Sequence, residues 1–314
     1  MNDILIHIGY HKTGTTWLQE NLFVLSSEVF YPLDLNKNSL SKKFVTGEDK
    51  YVLSPFDMNE GPIFGELQYY REKGYLDNDK VKVLSHERLS GHPHGSALDS
   101  QSIANRLHNI FPNAKIFIVI REQKSFLLSI YFQYLLGGGV HSLKQYLGTT
   151  FDRKRSYFSP NHINYVPLIK AYQKLFGKEK VLVLPYEMFK HEPNNFISRL
   201  AKFVEKEILV DPSLFDKYSN MNKNVYIKYH LRKLSYFMYS NSLNNYSKYN
   251  NTLCRGIAIR LRRLLERINF QKKGNNLKHS MSGYIAEWVG DRFHSSNEEL
   301  SELINIDLGS YGYH

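Results

Sequence analysis

The chain has 314 residues, 42% of them hydrophobic, a net charge of +11 and a single cysteine, Cys254. That supports one large core or two modest ones, and a lone cysteine excludes an internal disulfide framework or a cysteine-built metal site. The charge favours anionic partners, but nucleic acid is set aside, because the basic residues crowd late in the chain while the recognisable chemistry comes early.

The first element is a short apolar strand, Ile4–Ile8, which runs into Gly9-Tyr10-His11-Lys12-Thr13-Gly14-Thr15-Thr16 and an apolar helix from Thr16 to Leu25. No basic leader or long apolar stretch precedes it and no later apolar run reaches spanning length, so a soluble cytoplasmic protein is expected. A glycine-bearing loop at a helix start holds phosphate through main-chain N–H groups and the helix dipole. Gly9 and Gly14 have the spacing of the nucleotide loop G-x-x-x-x-G-K-[ST], yet Thr15 stands where that motif has lysine, and the only lysine, Lys12, lies inside the loop. A lysine there would sit beside the terminal group of a bound donor. Taken alone, the loop is equally an ordinary strand-to-helix turn.

An amphipathic helix, Gly61–Lys73, follows, and then a strand, Val81–Leu84, with Ser85-His86-Glu87-Arg88 at its carboxyl end. A helix over Ser100–Ile110 is expected to be capped by Asp99. After the turn Phe111–Ala114 comes the apolar run Lys115–Ile120, with Arg121 at its carboxyl end, where open α/β sheets bind ligands. The next helix, Lys124–Leu136, carries Ser129 and stops at Gly137-Gly138-Gly139; another, Asn164–Phe176, stops at Gly177. A strand, Val181–Leu184, leads to Tyr186-Glu187 and a helical pattern over Phe196–Val204.

This alternation predicts an α/β fold: a P-loop-like parallel sheet flanked by helices, with a helical C-terminal extension. A single domain over 1–314 is expected, because elements spread from Gly9 to Glu187 would have to meet around one ligand. Beyond Asp211-Pro212 the composition shifts to Asn, Ser, Tyr and Lys, and 213–280 is expected to be a helical insertion or lid. Within it, residues 253–268 place Leu253, Ile257, Ala258, Leu261, Leu264, Leu265 and Ile268 on one helical face and Arg255, Arg260, Arg262, Arg263 and Arg267 on the other. That pattern fits a docked helix with a solvated basic face, or a peripheral contact with anionic membrane or polysaccharide.

The loop Lys12-Thr13-Gly14-Thr15-Thr16-Trp17 resembles the 5′-phosphosulfate loop of sulfotransferases that use 3′-phosphoadenosine 5′-phosphosulfate (PAPS), and Arg121 with Ser129 has the spacing of their 3′-phosphate element. The Tyr186-Glu187 turn and the ending Asp307–Tyr313 are similar to the same family, the latter to its bacterial members, while residues 215–280 match poorly. The resemblance implies a sulfotransferase of bacterial, carbohydrate type, moving a sulfuryl group to a hydroxyl or amine of a surface glycan or other carbohydrate, with no metal required. Lys12, Thr13, Gly14, Thr15 and Thr16 would surround the phosphosulfate, Trp17 would pack on adenine, Arg121 and Ser129 would hold the 3′-phosphate, and Tyr186 would approach the base. Lys272-Lys273-Gly274 is only a loose echo of the family's C-terminal Arg-Lys-Gly loop.

Sulfuryl transfer in line requires stabilisation of the leaving phosphate oxygen, here by Lys12, and a base for the acceptor proton. Glu87 is placed first for that role, His86 second and Glu28 third; His11 is a further residue within reach of substrate. The acceptor pocket is expected from the loops Asn36–Met58, Gly91–Ala97 and Gly137–Phe158, whose Tyr, His and Lys content suits sugars. Two other classes compete: a phosphate-loop kinase, weakened by the displaced lysine and the missing Walker B aspartate, and a non-catalytic nucleotide- or glycan-binding protein.

Overall fold

The structure, a computed structural model, describes residues 4–34, 40–45, 60–148, 158–216, 225–238, 256–257, 260 and 271–314. Its centre is a parallel sheet of five strands: β1 (Ile4–Gly9), β2 (Phe30–Pro32), β3 (Val81–Ser85), β4 (Lys115–Ile120) and β5 (Val181–Pro185), in the order β2-β3-β1-β4-β5. All six residues of β1 are buried, as a central strand covered on both faces demands, and its register pairs His7 with Ser85 on one side and with Phe117 on the other. The chain leaves β1 towards β2 and β3 and later returns to its other side for β4 and β5. The carboxyl end of β1 therefore lies at the point where the two halves of the sheet diverge.

Helices cover both faces: α1 (Thr15–Trp17), α2 (Leu40–Val45), α3 (Gly61–Glu72), α4 (Ser100–Ile110), α5 (Gln123–Leu136), α6 (Leu143–Tyr146), α7 (Tyr165–Phe176), α8 (Tyr186–His191) and α9 (Pro193–Val204). Four more follow, α10 (Ser213–Asp216), α11 (Val225–Met238), α12 (Gln271–Val289) and α13 (His294–Ile304), with α11 and α12 both packed on α5. One hydrophobic cluster runs from Ile4 through Phe126 and Leu200 to Tyr313. The basic stretch 253–268 lies outside the described residues except at 256, 257 and 260, and the described parts of 213–280 are helical.

Several local expectations are corrected. The helix after the phosphate loop begins at Thr15 and widens into a π-helical stretch, Leu18–Phe23, rather than running to Leu25. Asp99 does not cap α4: its Oδ1 accepts from the His92 N–H at 2.9 Å and its Oδ2 from Arg88 Nη2 at 3.2 Å, so the carboxylate fastens a loop instead. Lys272-Lys273-Gly274 lies inside α12 and forms no loop. The triple glycine does end α5, and Gly139 has a packing reason, since a Cβ there would meet the Tyr134 ring at 2.3 Å.

Candidate active site

Two residues in the left-handed region shape the loop after β1: Lys12 at φ 66° and Gly14 at φ 83°. For a lysine that conformation costs about 1–3 kcal/mol, a strain that marks functional loops. Thr13 donates its hydroxyl to the Tyr10 carbonyl, and Gly14 opens α1 without a side-chain cap. A Cβ on Gly9 would come within 2.3 Å of Thr15 Oγ1, so glycine is needed for β1 and α1 to approach there. Thr15 Oγ1 is buried and has no hydrogen-bond partner among the described residues, while Thr16 is exposed. The backbone turn, the glycine cradle and the orphaned hydroxyl fit an anionic group of the donor.

Arg121, at the end of β4, reaches back across the sheet. Its Nη1 donates to the Lys12 carbonyl at 2.7 Å, its Nε to Ser125 Oγ at 2.9 Å, and its guanidinium lies 4.9 Å from the Tyr186 ring centre. Tyr186 also flanks the loop, with its ring 3.4 Å from where a Gly14 Cβ would be. Ser129 is half-buried one helical turn beyond Ser125, on the same face of α5. The spacing therefore brings Ser125, and not Ser129, onto Arg121 in this structure. The turn after β4 is fixed from two further sides: Tyr165 donates to the Arg121 carbonyl at 2.5 Å, and Glu187 accepts from the Glu122 N–H at 3.2 Å and from the Tyr313 hydroxyl at 3.0 Å.

Trp17 is only 4% exposed. Phe215 stacks on it at 4.8 Å and 18°, Phe189 meets it edge-on at 4.9 Å, and its Nε1 donates to the Leu214 carbonyl at 3.1 Å. The ring is part of the core, and Phe215 covers a face expected to meet adenine.

At the end of β3 the chain turns through a 3-10 turn, Glu87–Ser90, capped by His86, whose Nδ1 accepts from the Arg88 N–H at 3.0 Å. His86 and Glu87 diverge. Glu87 Oε1 lies 3.7 Å from His11 Nε2 and feels Lys12, Arg88 and Gln133, whereas His86 lines a pocket with Asp34 and Gln19 on the other side of the turn. Burial raises the Glu87 pKa above the ordinary carboxylate value against the pull of Lys12, Arg88 and Gln133. His86 is lowered to about 4 by burial and then by Arg88. His11 is buried and held well below the usual imidazole range, first by desolvation and then by His162, His94, Arg88 and His92. Glu28 is exposed at the amino end of β2, across the sheet from the loop, which removes it as a base.

The sequence reading missed Ser125, Tyr165, Gln133, Asp34, His94 and His162. Only Ser125 had a signal, its i+4 spacing from Arg121. Among the described residues no group of His, Cys, Asp and Glu is arranged to hold a metal ion. No helix there is long and apolar enough to cross a membrane.

Residues 2–297 match the sulfotransferase domain, and the chain belongs to that family. It is a PAPS-dependent sulfotransferase, and the fold is that of the family. Among solved structures, a sulfotransferase from Alicyclobacillus acidocaldarius is 17% identical with a TM-score of 0.46, over 81% of this chain and 99% of that one. The sulfotransferase domain from the curacin biosynthetic pathway is 16% identical with a TM-score of 0.41, over 71% and 80%. Mouse sulfotransferase SULT7A1 complexed with PAP is 16% identical with a TM-score of 0.36, over 69% and 62%. Comparison with curated protein sequences gives no match.

Proposed function

We propose that the protein sulfates a hydroxyl or amine of a carbohydrate, such as a bacterial surface glycan, with Glu87 as general base and Lys12 opposing the charge on the leaving phosphate oxygen. The observation that carries the assignment is the position of Glu87: a half-buried carboxylate at the carboxyl end of β3, 3.7 Å from His11 Nε2 and under the pull of Lys12. A partly buried carboxylate with a raised pKa is a stronger base than a fully exposed one.

In this reading Thr13, Gly14, Thr15 and Thr16 receive the 5′-phosphosulfate, with the Thr15 hydroxyl gaining the partner it lacks. Arg121 takes the 3′-phosphate, and Ser125 and Ser129, one turn apart on α5, supply hydroxyls beside it. Adenine lies by Tyr186, and stacks on Trp17 only where Phe215 leaves its face. The transition state spreads charge over the transferred group, so orientation and fixed charge supply the rate. A cytoplasmic location belongs to the same proposal, supported by the single cysteine.

Titration calorimetry with adenosine 3′,5′-bisphosphate (PAP) and with AMP tests the donor side. PAP should bind more tightly by about 1.5–3 kcal/mol, the value of a hydrogen bond to a charged group. Equal affinities would remove Arg121 from the 3′-phosphate.

A further inference from the structure

A cavity with a largely apolar wall and a few polar groups lies next to the site, at the carboxyl ends of β2 and β3. It encloses about 300 Å³, at the small end of the range for small-molecule sites. Phe23, Pro32 and Val83 form apolar wall, and Asp34, Glu20 and His86 supply the polar groups. Ligands of open α/β sheets bind at this end of the strands.

The polar groups have unused capacity of a definite kind. Asp34 Oδ1 accepts from the Ser41 N–H at 3.0 Å and the carboxylate also feels the Ser41 hydroxyl and the Ser85 N–H, but Oδ2 is buried and has no hydrogen-bond partner among the described residues. His86 accepts at Nδ1 from the Arg88 N–H, so its proton is on Nε2 and that nitrogen is a donor. Gln19 is committed elsewhere, its amide donating to the Ser85 carbonyl at 2.8 Å and to Ser85 Oγ at 3.2 Å. The cavity thus offers a carboxylate acceptor and an imidazole donor beside an apolar wall. A sugar hydroxyl both donates and accepts, and the C–H face of a pyranose covers an aromatic or proline surface. Two carboxylates, Asp34 and Glu20, line the cavity itself and disfavour an anionic occupant, while the cations that act on His86, Arg88 and Lys42, are not among its lining residues.

We propose that this cavity seats one uncharged, hydroxyl-bearing sugar ring of the acceptor, with Asp34 and His86 holding its hydroxyls and a neighbouring part of the same molecule reaching Glu87. The inference rests on the sulfuryl-transfer function proposed above and narrows its acceptor to a glycan with a neutral residue beside the sulfated one. His86 then acts in binding, which separates its role from that of Glu87, the next residue in the chain.

Saturation-transfer NMR on the full-length protein tests it, with methyl β-glucoside and methyl β-glucuronide as probes, each with and without PAP. The glucoside should show transfer, with the glucuronide weaker by about tenfold or more through like-charge repulsion. Val24→Trp, at a wall position 43% exposed to solvent, adds a large ring at the cavity wall and should abolish the glucoside signal while PAP affinity is unchanged. Asp34→Asn keeps the shape and should weaken the glucoside by about tenfold, one charge-assisted hydrogen bond. An unchanged glucoside signal in Val24→Trp, no glucoside signal in the wild type, or a stronger signal from the glucuronide overturns the proposal. Failure of the wild type to bind PAP overturns the donor assignment instead, and the probe measurements without PAP still decide the cavity.

Discussion

The two sides of the cleft are built differently. On the β4 side, Arg121, Ser125, Tyr165, Glu187 and Tyr313 tie one another and the Lys12 carbonyl into a closed set of hydrogen bonds. On the β3 side, His11 Nδ1, Arg88 Nη1, Gln133 Oε1 and His162 Nε2 are all buried without a hydrogen-bond partner among the described residues. Each such atom costs about 1–3 kcal/mol if nothing satisfies it. The difference teaches that the β4 side, proposed above to be the donor side, is organised by its own hydrogen bonds, with Thr15 Oγ1 and the nearby Asn164 Oδ1 as exceptions, whereas the β3 side, proposed to be the acceptor side, keeps polar capacity for a substrate or ordered water to fill.

Removing the proposed base should have the largest effect and should fall on one side only. Glu87→Gln is expected to lower kcat by about 10²–10⁴-fold while leaving PAP affinity almost untouched. His86→Asn, across the turn, should act mainly on acceptor KM. Because burial raises the Glu87 pKa, the rate should climb with pH through a value above the ordinary carboxylate range, and that limb should vanish in Glu87→Gln. The reverse ranking of the two variants would pass the role to His86.

Lys12→Ala sharpens the contrast from the donor side. Arg121 holds the main-chain carbonyl of Lys12, so the substitution deletes the ammonium group and leaves that tie in place. Turnover is expected to fall by about 10²–10³-fold, the cost of one preorganised charge, with a smaller loss in PAP affinity. Near-normal turnover would mean that another group opposes the leaving oxygen.

The donor side was legible in sequence because it is local. A loop of eight residues, a strand ending in Arg121 and a Tyr-Glu turn each carry their own signature, and the parallel sheet then brings them together. Four strands were legible as apolar runs; β2 was not, since three residues ending in proline at an edge leave no pattern. The acceptor side resisted because its residues are joined only in space. His94 meets Tyr146 at 2.9 Å across 52 residues, and the pull of Arg88 and the His92 N–H on Asp99 turned an expected cap into a clasp. In 213–280 the shift of composition and the helical pattern were legible, and the described parts are helical, but neither carries a signature that places a residue at the site.

Acid should find the same asymmetry, as a smaller effect on stability. Burial lowers His162 and His94 to about 3 and His92 to about 4, all on the acceptor side, while the β4 side carries no histidine among the residues named above. A histidine whose folded pKa is depressed stabilises the fold fully above its unfolded value near 6.5, and the contribution disappears as pH falls towards the folded value. Below pH 6.5 each such imidazole therefore lowers stability, because the unfolded chain takes up a proton that the folded chain does not. Melting temperature should decline as pH falls below 6.5, and His94→Gln should reduce the slope, since glutamine takes up no proton and retains a partner for the Tyr146 hydroxyl. Hydrogen exchange at pH 5.5 should show amides of residues 91–97 and 160–163 opening before those of β4 and the Arg121 turn. Equal opening on both sides would mean that the buried imidazoles do not set the acid lability, and that the acceptor side is no more costly to hold together than the donor side.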